Sequence, residues 1–247
     1  MFFFLATCLG SLFGQSSFKQ VGNEIYGNPS TYLGGSVALS GDGRSLAVST
    51  YLGQYAAVYD LVGSVWVQRG SNISGSNLIS LSSDGTTLAV VETTNRVRVF
   101  VWNGSAWVQR GADFTGPFGS LFSSVSFSSD GTSIAIAQAN AFSGDLVKTF
   151  VWNGSSWLPR GNNISSEFEN ANGGAVSLSS DGNIVAIGAT GKSTNAGAGQ
   201  IYEWSGGSWV QRGVDITGVA SSQFGKSIGS FSGFVPLRKR RNSSNTV

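Results

Sequence analysis

The pentapeptide Trp107-Val108-Gln109-Arg110-Gly111 constrains this chain more than any other stretch, because it is written four times. Its other copies are Trp66-Val67-Gln68-Arg69-Gly70, Trp157-Leu158-Pro159-Arg160-Gly161 and Trp209-Val210-Gln211-Arg212-Gly213. A second landmark precedes each copy: Ser40-Gly41-Asp42-Gly43, Ser82-Ser83-Asp84-Gly85, Ser128-Ser129-Asp130-Gly131 and Ser179-Ser180-Asp181-Gly182. The Trp recurs after 41, 50 and 52 residues, the Asp after 42, 46 and 51. Self-similarity at that period means one supersecondary unit repeated, each copy burying its apolar face against the next.

Inside a unit the period is two. Large apolar residues stand five and three places before the Asp: Val37/Leu39, Ile79/Leu81, Val125/Phe127 and Val176/Leu178. Between them sit only Ala38, Ser80, Ser126 and Ser177. Alternation resumes after the turn, as in Leu88-Ala89-Val90 and Ile134-Ala135-Ile136. An Asp-Gly step between alternating runs predicts a hairpin, since Gly accepts the positive φ of a tight turn. One face of the sheet is bulky and the other invariably small, which places another layer close against the small side.

The third run ends in an aromatic (Tyr59, Phe100, Phe150, Tyr202) and turns through Asn103-Gly104, Asn153-Gly154 or Gly206-Gly207 into a Trp-led fourth run. Trp102/Trp107, Trp152/Trp157 and Trp204/Trp209 flank those turns, placed to pack across the hairpin. Four antiparallel strands per unit, repeated radially, predict an all-β chain: a β-propeller of four-stranded antiparallel blades. Complete blades are expected at 35–75, 76–116, 122–166 and 175–218. A partial blade at 18–27 aligns with residues 66–75 and is expected to sit as an outer strand; another begins at Phe224-Gly225-Lys226-Ser227-Ile228 and runs to 233. The expected ring is incomplete or open, with end faces that invite self-association.

These details resemble the FG-GAP repeat of integrin α-chain-like propellers. Phe118-Gly119 and Phe224-Gly225 match its opening, Ile187-Gly188-Ala189 its middle, and Ser71-Asn72-Ile73-Ser74-Gly75 and Val214-Asp215-Ile216-Thr217-Gly218 its close. The resemblance covers most of residues 18–233. It implies a secreted interaction module with seven blades and calcium loops carrying several Asp at alternate positions. This chain departs on both counts. Its corresponding loops never hold more than one carboxylate, and a hard cation needs six or more oxygens, so no calcium site is carried over. With about four and a half units, the chain reads as a fragment or a short, diverged version.

Composition narrows the chemistry. Histidine is absent, which removes the commonest general base and transition-metal ligand. Cys8 is the single cysteine, so no internal disulfide forms. Four of the fifteen basic residues lie in Arg238-Lys239-Arg240-Arg241; setting them aside leaves a body of about neutral charge, with no footprint for nucleic acid. Residues 1–14 have the length and apolarity of a secretory signal, or of a buried strand, and are too short to span a membrane. Residues 234–247 read as a basic, disordered tail outside the repeat.

The candidate site residues come from the same pattern. Trp107, Arg110, Trp157 and Arg160 are candidate ligand contacts, since aromatic faces stack on sugars and guanidinium groups bind anions; hairpin packing explains the same rows. The repeated Asp residues read as turn caps. Carboxylates outside the repeat are Asp60, Glu92, Asp145, Glu167, Glu169 and Glu203, and no pair among them has a spacing that predicts glycoside hydrolysis. Asn72 and Asn163 open N-glycosylation triplets; the similar triplets at Asn103 and Asn153 coincide with turns. The expected function is a non-catalytic, extracellular adhesion-type module needing no cofactor, with a protein or glycan partner. The alternatives are a lectin-like propeller, a propeller glycosidase or lyase, and a truncated piece without independent function.

Overall fold

A computed structural model describes residues 19–52, 54–92, 95–116, 120–140, 146–165 and 174–229. The candidate leader, the basic tail, Phe118, Gly119, Asp145, Glu167 and Glu169 lie outside them. Alternating residues and Asp-Gly turns produce four antiparallel sheets. Blade 1 contains β1 (Leu33–Leu39), β2 (Ser45–Thr50), β3 (Tyr55–Val62), β4 (Val65–Gln68) and β5 (Ile73–Ser74). Blade 2 contains β6 (Leu78–Leu81), β7 (Thr87–Glu92), β8 (Arg96–Trp102), β9 (Trp107–Gln109) and β10 (Phe114–Thr115). Blade 3 contains β11 (Ser120–Phe127), β12 (Ser133–Asn140), β13 (Leu146–Trp152), β14 (Trp157–Pro159) and β15 (Ile164–Ser165). Blade 4 contains β16 (Val176–Leu178), β17 (Ile184–Ala189), β18 (Ala198–Trp204), β19 (Trp209–Gln211) and β20 (Ile216–Thr217), with a one-turn helix α1 (Lys192–Asn195) between β17 and β18.

The sequence predicts one outer strand per blade, and the structure divides it in two. In blade 1 both β4 and β5 pair with β3, and the same arrangement recurs in every blade. Arg69-Gly70 makes the break: Gly70 has φ +72°, a left-handed conformation a side chain would strain. A Cβ there would also lie 2.7 Å from Trp102 of the next blade, so the kink is a point of close approach between blades.

The small face of each blade receives the bulky face of the next. Ala47, Ala56 and Val58 of blade 1 pack with Ile79, Leu81, Leu88, Val90 and Phe100 of blade 2. Ala89, Val91, Val97 and Val99 of blade 2 receive Phe122, Val125, Phe127, Ile134 and Ile136 of blade 3. Ala135, Ala137 and Val147 of blade 3 receive Val176, Leu178, Val185 and Ile187 of blade 4. The first strands β1, β6, β11 and β16 adjoin in that order. Hydroxyls on one first strand serve amides on the next: Ser124 Oγ accepts from Val176 N–H at 3.1 Å and Ser126 Oγ from Leu178 N–H at 3.0 Å. The described residues therefore form a β-propeller-type stack of four blades joined by three like seams.

Two faces have no such cover among the described residues. Val37 and Leu39, on the bulky face of blade 1, are 63% and 56% exposed, whereas their counterparts Ile79 and Leu81 are 8% and 9% exposed. On the small face of blade 4, Ile201 is 36% exposed where Val58 and Val99 are each 1% exposed. Residues 19–25 do lie against blade 1, in the place an outer strand of a preceding blade would take. Trp66 donates its indole N–H to the Val21 carbonyl at 3.1 Å and its amide N–H to Asn23 Oδ1 at 2.7 Å. The segment forms no strand, because the described residues hold no third strand with which it would pair.

Candidate functional site

The repeated polar residues converge on the seams. Each Asp turn is a small hydrogen-bonded ring. Ser179 Oγ donates to Asp181 at 2.6 Å, Asn183 N–H donates to the same carboxylate oxygen at 3.0 Å, and Ile184 N–H donates back to Ser179 Oγ at 2.9 Å. The same ring forms around Asp42, Asp84 and Asp130. Hydrogen bonds from the Ser hydroxyl and the backbone amide hold the carboxyls of Asp42 and Asp181 below the usual carboxylate range. Asp130 is lowered too: burial pushes it up, but Ser128 and Thr132 together outweigh that. The turns also chain the blades. Gly41 N–H donates to Ser83 C=O at 2.8 Å, Ser83 N–H to Ser129 C=O at 2.9 Å, and Ser129 N–H to Ser180 C=O at 2.9 Å.

Trp107, Arg110, Trp157 and Arg160 lie in these seams. Trp107 donates its indole N–H to the Arg69 carbonyl at 3.0 Å, and Trp157 donates to the Arg110 carbonyl at 2.9 Å. The guanidinium groups of Arg69, Arg110 and Arg160 reach forward to the carbonyls of Gly85, Gly131 and Gly182, at 2.6, 3.3 and 2.6 Å. On the way they cross aromatic faces of the next blade: Arg110 stands 5.6 Å from the Trp152 ring and Arg160 stands 4.8 Å from the Trp204 ring. Burial lowers both the Arg110 and the Arg160 pKa from the ordinary arginine value. The paired indoles of blades 2, 3 and 4 meet at 5.4–5.6 Å. Arg212, the fourth of the row, is different: its side chain is 54% exposed and stands 3.9 Å from Glu203.

The unrepeated carboxylates within the described residues are dispersed. Asp60 accepts from Arg69 and from Ser45. Glu92, with its side chain 4% exposed, holds Arg96 at 2.6 Å and Arg98 at 2.5 Å, and Arg98 in turn donates to Ser74 C=O of blade 1. Glu203 lies on the open face beside Arg212. Among the described residues no group of three or more Asp, Glu, Cys or His side chains gathers. No helix of the described residues is long and apolar enough to cross a membrane. Asn72 and Asn163 are both exposed, while Asn103 Oδ1 accepts from the backbone of its own turn.

Sequence reasoning missed a polar cleft at the loop end of the blades, opposite the Asp turns. It measures about 550 Å³ and is lined by Ser123, Ser124, Thr190, Gln223, Lys226 and Ser227, together with Gly174, Ala175 and Ile228. Ser123 Oγ is held by donating to the Gly174 carbonyl at 3.0 Å, and Ser124 Oγ is engaged with Val176. Among these described lining residues Lys226 alone is charged. The signal for the cleft was the partial fifth unit, whose start folds over blade 4: Phe224 N–H donates to Ala196 C=O, and Phe224 bridges Gly197.

Comparison with known proteins agrees on the fold and stops there. No family model matches this chain, and no curated protein matches it. Among solved structures it is similar to Kuenenia stuttgartiensis hydrazine synthase, with a TM-score of 0.55, 14% identity, and coverage of 84% of this chain and 53% of that one. It is also similar to a protein from Bacteroides uniformis provisionally named a 6-phosphogluconolactonase, with a TM-score of 0.53, 14% identity, and coverage of 74% and 54%. The chain thus spans about half the length of each. The class the fold defines is the β-propeller.

Proposed function

We propose that this chain is a non-catalytic recognition module, an FG-GAP-like propeller arc that works in an extracellular setting. Its partner is a protein or a glycan, met at the loop end of the blades. One observation carries the reading. The side chains of Trp107, Arg110, Trp157 and Arg160 have partners in the seams, whereas hydroxyl, amide and ammonium groups line one cleft of about 550 Å³. That volume lies within the roughly 300–1,000 Å³ of small-ligand sites. Its described lining residues offer many hydrogen-bond donors and acceptors, with one positive charge and no carboxylate among them. Such a surface favours a polyhydroxylated or carbonyl-rich group carrying at most a negative charge. The lectin-like alternative is served by this cleft better than by the Trp and Arg rows, whose polar groups already have partners in the seams.

The test is a glycan and peptide array probed with the wild-type chain and with Lys226→Ala. A ligand whose affinity falls about tenfold or more in the variant, a loss of roughly 1.4 kcal/mol, supports the reading. Ligands that bind both proteins equally, or no ligand at all, overturn it. Lys226 is exposed, so the variant keeps its fold.

A further inference from the structure

Among the described residues, the exposed faces at the two ends of the stack match each other as the two sides of an internal seam do. Blade 1 presents Val37 and Leu39 in the positions that Ile79 and Leu81, or Val176 and Leu178, occupy when they are buried. Blade 4 presents Ala186 and Ile201 where Ala47 and Val58 receive such residues. The polar groups match as well. In each seam the Arg of one blade reaches the Gly carbonyl of the next Asp turn, and the residue before the Asp donates its N–H to its counterpart. At the open ends the equivalent donors are the Arg212 guanidinium and the Ser180 N–H, and the equivalent acceptors are the Gly43 and Gly41 carbonyls. Donors stand at one end and acceptors at the other.

We infer that this chain binds a second copy of itself head to tail, the bulky face of blade 1 seating on the small face of blade 4. A head-to-tail contact closes when its rotation permits. Two copies joined at both ends bring together eight of the described blades, within the four to eight that closed propellers use.

Short straps at both ends compete with this contact. Residues 19–25 hold Trp66 through Val21 and Asn23, which is where Arg212 and its neighbours would come in a completed seam. Residues 222–225 lie over Ala196, Gly197 and Gly188 at the loop end of blade 4. Both straps are mostly exposed and flank the blades in sequence, so they can leave without breaking a sheet. The N-terminal strap has a specific weak point. Gly22 has φ +82°, and a Cβ on it would lie 2.4 Å from the Trp66 indole nitrogen, so any side chain pushes the strap off.

Sedimentation velocity on the full chain tests this, over a roughly hundredfold range of micromolar concentrations. The wild type shows reversible, concentration-dependent association. Val37→Glu and Ile201→Glu each move its midpoint up by about a hundredfold, because a charge would be buried in the seam without a partner. Both residues are exposed in the single chain, so circular dichroism stays unchanged. An equimolar mixture of the two variants associates again, since an intact head meets an intact tail. Gly22→Val lowers the midpoint by about tenfold. A wild type that is monomeric throughout overturns the proposal. So do single variants that associate like the wild type, or a mixture that stays monomeric.

Discussion

Arg160 and Arg212 occupy the same place in the repeat, three residues after a Trp, and differ in whether another blade packs ahead of them. Blade 4 lies ahead of Arg160. The Arg160 guanidinium stands 4.8 Å from the Trp204 ring and donates to Gly182 at 2.6 Å and to Asn183 at 2.5 Å. Arg212 has no blade ahead of it among the described residues and stands in solvent beside Glu203. Leu81 and Leu39 repeat the lesson in apolar form, 9% and 56% exposed. The local sequence writes the same side chain each time, and the neighbour decides what it is worth. In a stack of this kind stability is a sum over seams, and a residue contributes only where its seam is complete.

The largest contrast is expected at the leucines. At concentrations too low for association, Leu81→Ala leaves a cavity between blades 1 and 2 and costs about 2–5 kcal/mol in denaturant unfolding, whereas Leu39→Ala costs less than about 1 kcal/mol. Equal costs would mean the two faces are equally buried in solution, and the comparison would fail. The arginines should differ less. Arg160→Ala removes charge-assisted hydrogen bonds and costs about 1.5–3 kcal/mol, against roughly 0.5 kcal/mol for Arg212→Ala.

The smallest effect is a pH dependence. Asp42, Asp130, Asp181 and Asp215 have carboxyls held below their ordinary value, Asp215 by Lys192 first and then Gln200 and Gln211. A lowered folded pKa means the unfolded chain takes up protons first. The stabilisation is therefore complete above the unfolded carboxylate value of about 4 and is lost as pH falls through the folded values. Thermal unfolding between neutral pH and about pH 3 should show a loss confined to the acid end, and Asp181→Asn should make that loss shallower. An unchanged slope in the variant would mean that Asp181 contributes nothing to it.

Much of this fold was legible in the residues. Alternation gave the strands, Asp-Gly gave the turns, and the pairing of bulky with small faces gave a covering layer. The Trp pairs were legible from their spacing across Asn103-Gly104 and Asn153-Gly154. What Arg69, Arg110 and Arg160 bind was not, because their acceptors are glycine carbonyls 16 to 22 residues ahead, and a backbone acceptor has no signature in sequence. The division of the outer strand was hidden for a related reason: it depends on how closely Gly70 approaches an indole of another blade. The role of residues 19–25 could be read by aligning them with residues 67–73, but whether they form a ladder depends on a partner strand. The cleft left least trace. Ser123, Thr190 and Lys226 come from three separate segments and share no motif, so only the folded stack brings them together.

The central claim is that successive blades are equivalent wedges joined by equivalent seams, and amide hydrogen exchange tests it at single atoms. The N–H groups of Ser83 and Ser129 each donate to the next blade, while the N–H of Ser180 holds the same place at the end of the row. In dilute solution, equivalent seams predict strong protection at Ser83 and Ser129 and fast exchange at Ser180. Equal exchange at all three would contradict the claim.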